Sequence, residues 1–165
     1  MKLIFQLFIA CVFSFSLLGQ EVQVTGAKVT EYGIYTAQVR KTDINSAGLK
    51  LQGLDNFVLL TSTTNVPARV GIRFGFRYEI LGEPTNAPIV LTMILTHPPI
   101  KNALTARLET RDVYQTQSWI GKTYTCNSLD SKSDLVPGLW TFEVWYTTNK
   151  LCTQNFLVVP DDGTQ

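Results

Sequence analysis

Histidine and charge are both scarce in this chain. Of its 165 residues 16% are charged, and His97 is the single histidine. Lys and Arg number 14 against 13 Asp and Glu, so the sequence lacks the basic excess expected of a nucleic-acid-binding protein. The hydrophobic fraction of 45% argues against intrinsic disorder. These counts predict one folded domain and exclude nucleic acid as a partner.

The first 20 residues differ from all that follow. Lys2 precedes a nearly uncharged apolar run over 3–18, and polarity returns at Gln20. This pattern is typical of a secretory signal peptide, with cleavage expected near Gly19 to Glu21 and a periplasmic or secreted product. A run of about 16 apolar residues is short for a bilayer span. We therefore expect no membrane association after cleavage, with an uncleaved anchor as the alternative.

Cysteine is sparse too, and removal of the signal peptide leaves only Cys126 and Cys152. Thiols in an oxidising compartment tend to pair, and this spacing is unlike the Cys-x-x-Cys pattern of metal and redox sites. We predict a disulfide bond between the two, with two free buried thiols as the alternative. No motif indicates a metal or a cofactor. The glycines at 71 and 75 do not form a phosphate-binding loop, because they lie in a predicted strand and no helix follows it.

The hydrophobic pattern of the remaining chain has a period of two. In the segment 71–81 the residues Phe74, Phe76 and Tyr78 alternate with Arg73, Gly75 and Arg77, as in a half-buried strand. Similar patterns predict a hairpin over 139–148 and 151–159, and strands at 27–40, 57–64, 89–96, 111–115 and 122–126. About seven to eight short strands favour an all-β, antiparallel immunoglobulin-like sandwich over 21–159. We expect 160–165 to be a flexible tail.

Four sequence blocks resemble a bacterial family, the domain of unknown function 3859. The blocks are YGIY at 32–35, VPARVGIRFGFRY at 66–78, THPP at 96–99 and LVPGLWTFEVWY at 135–146. The resemblance implies a small, mostly exported β-sandwich without an assigned activity. It therefore supplies no catalytic residue.

Catalytic machinery is hard to find in this sequence. A Ser-His-Asp or Cys-His arrangement needs a histidine base, and His97 directly precedes Pro98-Pro99. We interpret it as a strand-end residue whose ring bonds a neighbouring backbone carbonyl. Glycosidase-type pairs of carboxylates can be distant in sequence, so a carboxylate-based hydrolase acting on an envelope or extracellular polymer stays an alternative.

A binding role has more support in the residues. Alternation places Arg73 and Arg77 on one strand face, with Arg69 in the preceding turn, so an anionic ligand could use the three. The competing interpretation is an ordinary solvated sheet face with partners such as Glu143. Trp145 is predicted to point outward, where the indole either covers Gly75 on a neighbouring strand or contacts a sugar or a protein.

The sequence therefore predicts an exported binding or accessory module rather than an enzyme. Its candidate binding surface consists of Arg69, Arg73, Arg77, Glu143 and Trp145. The expected partner is a protein or a glycan, and we expect a monomer without a cofactor or a bound metal. A second alternative is a structural envelope component held by an uncleaved anchor.

Overall fold

The computed structural model of the protein describes residues 21–45, 48–102 and 105–161. Within these ranges the chain forms nine strands in two sheets. The strands are β1 (Gln23–Ile44), β2 (Lys50–Thr61), β3 (Asn65–Pro67), β4 (Arg73–Glu83), β5 (Pro88–Lys101), β6 (Leu108–Trp119), β7 (Gly121–Ser128), β8 (Gly138–Tyr146) and β9 (Asn149–Val159). The predicted signal peptide and residues 162–165 lie outside the described part of the chain.

The two sheets confirm the predicted all-β sandwich. Sheet 1 has the order β2-β1-β4-β7, and sheet 2 has the order β3-β9-β8-β5-β6. Each pairing is antiparallel except that of β3 with β9, which is parallel. The short β3 is the one strand that the sequence pattern did not predict.

The main core lies between the sheets, where alternation along β4 and β8 delivers large apolar side chains. Phe74 and Phe76 on β4 are fully buried, and Trp140 and Phe142 on β8 are nearly so. The Phe74 ring lies 5.6 Å from that of Trp140 and 5.8 Å from that of Phe142, edge to face in both cases. Such aromatic pairs stabilise the core beyond the area they bury.

A second apolar cluster lies on the outer side of sheet 1. β1 pairs with β4 through its first half and with β2 through its second half. Although β2 and β7 are opposite edges of the sheet, Phe57 of β2 stacks on Tyr124 of β7 at 4.5 Å and on Tyr35 of β1 at 4.0 Å. The β1–β2 hairpin therefore folds back over the outer face of its own sheet.

The predicted strand limits are furthest from the structure at the end of β5 and the start of β2. β5 does not end at Thr96 but continues through Pro98 and Pro99 to Lys101, because a register shift between Thr96 and Ile100 absorbs the prolines. β2 begins at Lys50 rather than Phe57. Its pairing with β1 contains three register shifts, which break the alternation that the prediction depended on.

Candidate functional site: a groove along an edge strand

A groove of about 700 Å³ follows β7 at the side of the sandwich where β6 and β7 end their sheets. Six consecutive residues of β7, 123–128, line it. One wall is β6, whose inward-facing contributions are Asp112, Tyr114, Thr116 and Ser118. The second wall is the start of β2, which contributes Lys50, Gln52 and Leu54. We call this feature the β7 groove.

The β7 groove is polar because the inward-facing side chains change from apolar on β4 and β5 to polar on the edge strands β7 and β6. On sheet 2 the inward-facing Leu91 and Met93 of β5 are paired with Thr116 and Tyr114 of β6. On sheet 1 the core residue Phe76 is paired with Thr125 of β7. Paired residues share a face of the sheet, so the hydroxyl-bearing side chains of β6 and β7 also face the space between the sheets. Apolar side chains at these positions would pack together and exclude water. The edge strands thus leave a polar strip between the sheets.

His97 lies at one end of the β7 groove and is 6% exposed. Its Nδ1 is 2.8 Å from the Pro98 carbonyl oxygen, and its Nε2 is 3.4 Å from Asp112 Oδ2. Burial lowers the pKa of the imidazole, but the hydrogen bonds with Asp112 and the Pro98 carbonyl outweigh burial, so the pKa is raised. Both ring nitrogens are engaged. The contact with the Pro98 carbonyl agrees with the prediction, but His97 lies within β5 rather than at its end.

Arg73 lies beside the second wall, on the outer face of β4, and is 9% exposed. Its Nη2 donates a hydrogen bond to Gln52 Oε1 at 2.9 Å. The guanidinium also lies beside the Cys126 thiol, but its Nη1 has no hydrogen-bond partner of normal geometry among the described residues, and on the β6 wall the buried Ser118 Oγ has none either. An unsatisfied buried polar group is costly, so a ligand that bonds to Ser118 Oγ and Arg73 Nη1 would be stabilised.

The other two arginines of the predicted surface are occupied by the protein itself. Arg77 donates to the Phe57 carbonyl oxygen and forms an ion pair with Glu31 at 3.1 Å. Arg69 forms a two-point ion pair with Asp161, at 2.8 and 2.9 Å. Opposite charges across neighbouring strands are ordinary sheet stabilisers, and Glu31 lies directly opposite Arg77.

Trp145 and Glu143 lie on β8 of sheet 2, whereas Arg73 and Arg77 lie on β4 of sheet 1. The Trp145 indole nitrogen donates to Glu143 Oε2 at 3.1 Å, and Lys150 Nζ donates to Glu143 Oε1 at 2.7 Å. Lys150 also lies 5.6 Å from the centre of the Trp145 ring, a cation–π contact. Lys150 and Trp145 hold the pKa of Glu143 below its usual range, although partial burial opposes them.

A family model for a domain of unknown function, DUF3859, matches residues 23–158. The chain belongs to this family. The match confirms the resemblance noted in the four sequence blocks. An immunoglobulin-like protein from Pseudomonas aeruginosa, known from a crystal structure, is 19% identical and has a TM-score of 0.56, covering 81% of this chain and 96% of that one. This likeness confirms the immunoglobulin-like fold. No functionally curated protein matches the chain.

The five residues predicted to form one surface in this DUF3859 protein do not come together. Arg73 and Arg77 share the outer face of sheet 1, as predicted, but the β1–β2 hairpin buries Arg73 and bonds to Arg77, whose side chain is 43% exposed. Glu143 and Trp145 belong to the other sheet. Trp145 does not cover Gly75, because the neighbours of Gly75 in sheet 1 are Gly33 and Cys126.

Cys126 and Cys152 are free thiols, so the predicted disulfide bond is absent. Cys126 packs in the outer cluster with Leu54 and Phe57, whereas Cys152 packs against the main core between the sheets. Sheet 1 therefore separates the two side chains. Burial raises the pKa of each thiol to about 11, which keeps both protonated and poorly nucleophilic.

The described ranges of the DUF3859 chain contain neither a metal-binding cluster nor a membrane-spanning helix. No group of three or more His, Cys, Asp or Glu side chains in 21–45, 48–102 and 105–161 is arranged to hold a metal ion. Among the same residues, no helix has the length and apolar character needed to cross a bilayer.

Proposed function

We propose that this DUF3859 protein is an exported binding module whose ligand lies in the β7 groove. The observation that carries the proposal is two buried, unsatisfied polar atoms in the lining of the groove, Ser118 Oγ on β6 and Arg73 Nη1 on β4. A ligand with hydrogen-bonding groups can satisfy both, and the hydroxyl groups between them favour a polar ligand over an apolar one. The apolar segment 3–18 supports export.

The carboxylates of the β7 groove favour binding over hydrolysis. Asp112 contacts His97, and Asp130 accepts from Lys50 Nζ at 2.5 Å. Glu109 accepts from Asn102 at 2.9 Å, and Asp134 accepts from the Ser131 amide at 2.8 Å. Hydrogen bonds from Lys50 and Ser128 outweigh burial and lower the pKa of Asp130, the opposite of what a general acid needs. Each of these four carboxylates is already bonded to another group of the protein.

Native mass spectrometry of the protein purified gently from the periplasm of a bacterial host tests this proposal. We expect the mature chain to carry an additional non-covalent mass, which Thr116→Trp abolishes because an indole on the β6 wall fills the groove. Gln115→Trp is the matched control, since Gln115 is the adjacent residue on the opposite, exposed face of β6. An adduct retained equally by both variants would place the ligand elsewhere, and an unprocessed chain in the cytoplasm would refute export.

A further inference from the structure

The floor of the β7 groove is the free edge of a strand. β7 pairs with β4 through eight consecutive residue pairs without a register shift, and among the described residues no strand pairs with its other side. Because both odd and even residues of 123–128 line the groove, it follows the strand edge rather than one face. An unpaired edge presents a row of main-chain donors and acceptors to whatever enters.

The other edges of the two sheets are less suited to take up a ligand strand. β2 pairs with β1 through three register shifts, and β3 has three residues and ends in Pro67. β6 is long and pairs regularly with β5 over 111–119, but it presents mainly its inward-facing side chains to the groove. β7 therefore combines a regular free edge with walls on both sides.

We propose that the ligand is an extended segment of another polypeptide that adds to β7 as a fifth strand of sheet 1. This inference rests on the proposed binding function and names the class of its ligand. Along β7 the edge groups repeat about every 6.6 Å, two residues of extended chain, and another extended chain has the same repeat. A compact ligand has no such repeat, and a glycan chain has no backbone of alternating amide donors and carbonyl acceptors to pair with a strand edge.

The two walls then receive alternate side chains of the added strand. Side chains on the inner face meet the hydroxyl groups of Thr116 and Ser118, and those on the outer face meet Gln52 and Arg73. Arg73 Nη1 lacks a partner, so the segment is expected to carry a carboxylate or amide oxygen at one outer position. A second copy of the chain fits less well, since its own β7 carries the same two walls.

The probe for this proposal is a displayed library of random seven-residue peptides, selected on the mature protein and counter-selected on Thr116→Trp. Selected peptides are then synthesised with N-methyl groups at alternate positions. A peptide that adds as a strand uses one of its edges, so we expect one N-methylated set to bind at least tenfold more weakly and the other set to bind almost unchanged.

The outcomes separate this proposal from the proposed function. Equal binding of the two N-methylated sets, or a library that gives no peptide specific for the wild-type groove, would overturn strand addition. The mass-spectrometric adduct would then still decide whether the groove binds a ligand of another class, such as a glycan. The N-methyl comparison uses only the wild-type protein, so it stays decisive if Thr116→Trp fails to fold.

Discussion

Gly75 lies at the centre of β4, between Gly33 on β1 and Cys126 on β7. A Cβ at this position would come within 2.6 Å of Cys126 Cβ, and closer still to the Thr125 carbonyl oxygen. Both atoms belong to the strand that forms the groove floor. The absence of a side chain at Gly75 therefore allows the close approach of β4 and β7.

We expect Gly75→Ala to lower the free energy of unfolding by about 1–3 kcal/mol, because β4 and β7 must move apart to admit the methyl group. The matched control is Gly26→Ala in the same sheet, where a Cβ would meet no atom within 4 Å. That variant should lie within about 1 kcal/mol of wild type, on the stabilising side. Equal effects in urea denaturation would show that Gly75 is not constrained by β7.

The His97–Asp112 pair should make stability depend on pH. The folded pKa of His97 is raised above its unfolded value of about 6.5. The contribution of the pair to the free energy of unfolding is therefore fully present below about pH 6.5, and it is lost as the pH rises through the folded pKa of His97. We expect Asp112→Asn to lower the free energy of unfolding more at pH 5.5 than at pH 9. An equal loss at both pH values would contradict an ionic contribution.

At the scale of the element, alternation predicted the strands that pack on the main core. β4, β8 and β9 begin and end within two residues of their predicted limits. β2 departs from prediction because its apolar residues, such as Phe57, pack on the outer cluster instead. β3 has three residues and pairs with β9, about 90 residues later in the chain, a non-local pairing that no local pattern carries.

The β7 groove could not be predicted from the sequence, because local alternation does not show which face of β6 lies inside. On β6 both the inward Thr116 and the outward Gln115 are polar, so alternation offers no contrast between the faces. The pairing with β5 decides which face lies inside. Thr116 is paired with Leu91, and because Leu91 belongs to the main core, Thr116 faces inward. The sequence placed Arg73 and Arg77 on a common face correctly. It could not show that the β1–β2 hairpin folds back onto both, because that fold depends on the contact between Phe57 and Tyr124.

At the scale of the whole molecule, sheet 1 is buried on both faces over part of its area. The main core lies on its inner face, and the cluster of Tyr35, Leu54 and Phe57 lies on its outer face. The two layers end at β7, so this sheet edge is packed between them while its main chain stays open on the groove side. A preformed edge lowers the entropic cost of adding a strand.

Strand addition requires the edge of β7 to be open in the free protein. Amide hydrogen exchange, resolved to single residues by nuclear magnetic resonance, reports on this edge. We expect fast and slow exchange to alternate along 123–128, because only every second amide bonds to β4, whereas β4, paired on both sides, should be protected throughout. Uniform protection along β7 would mean that its edge is already covered, and would contradict the account.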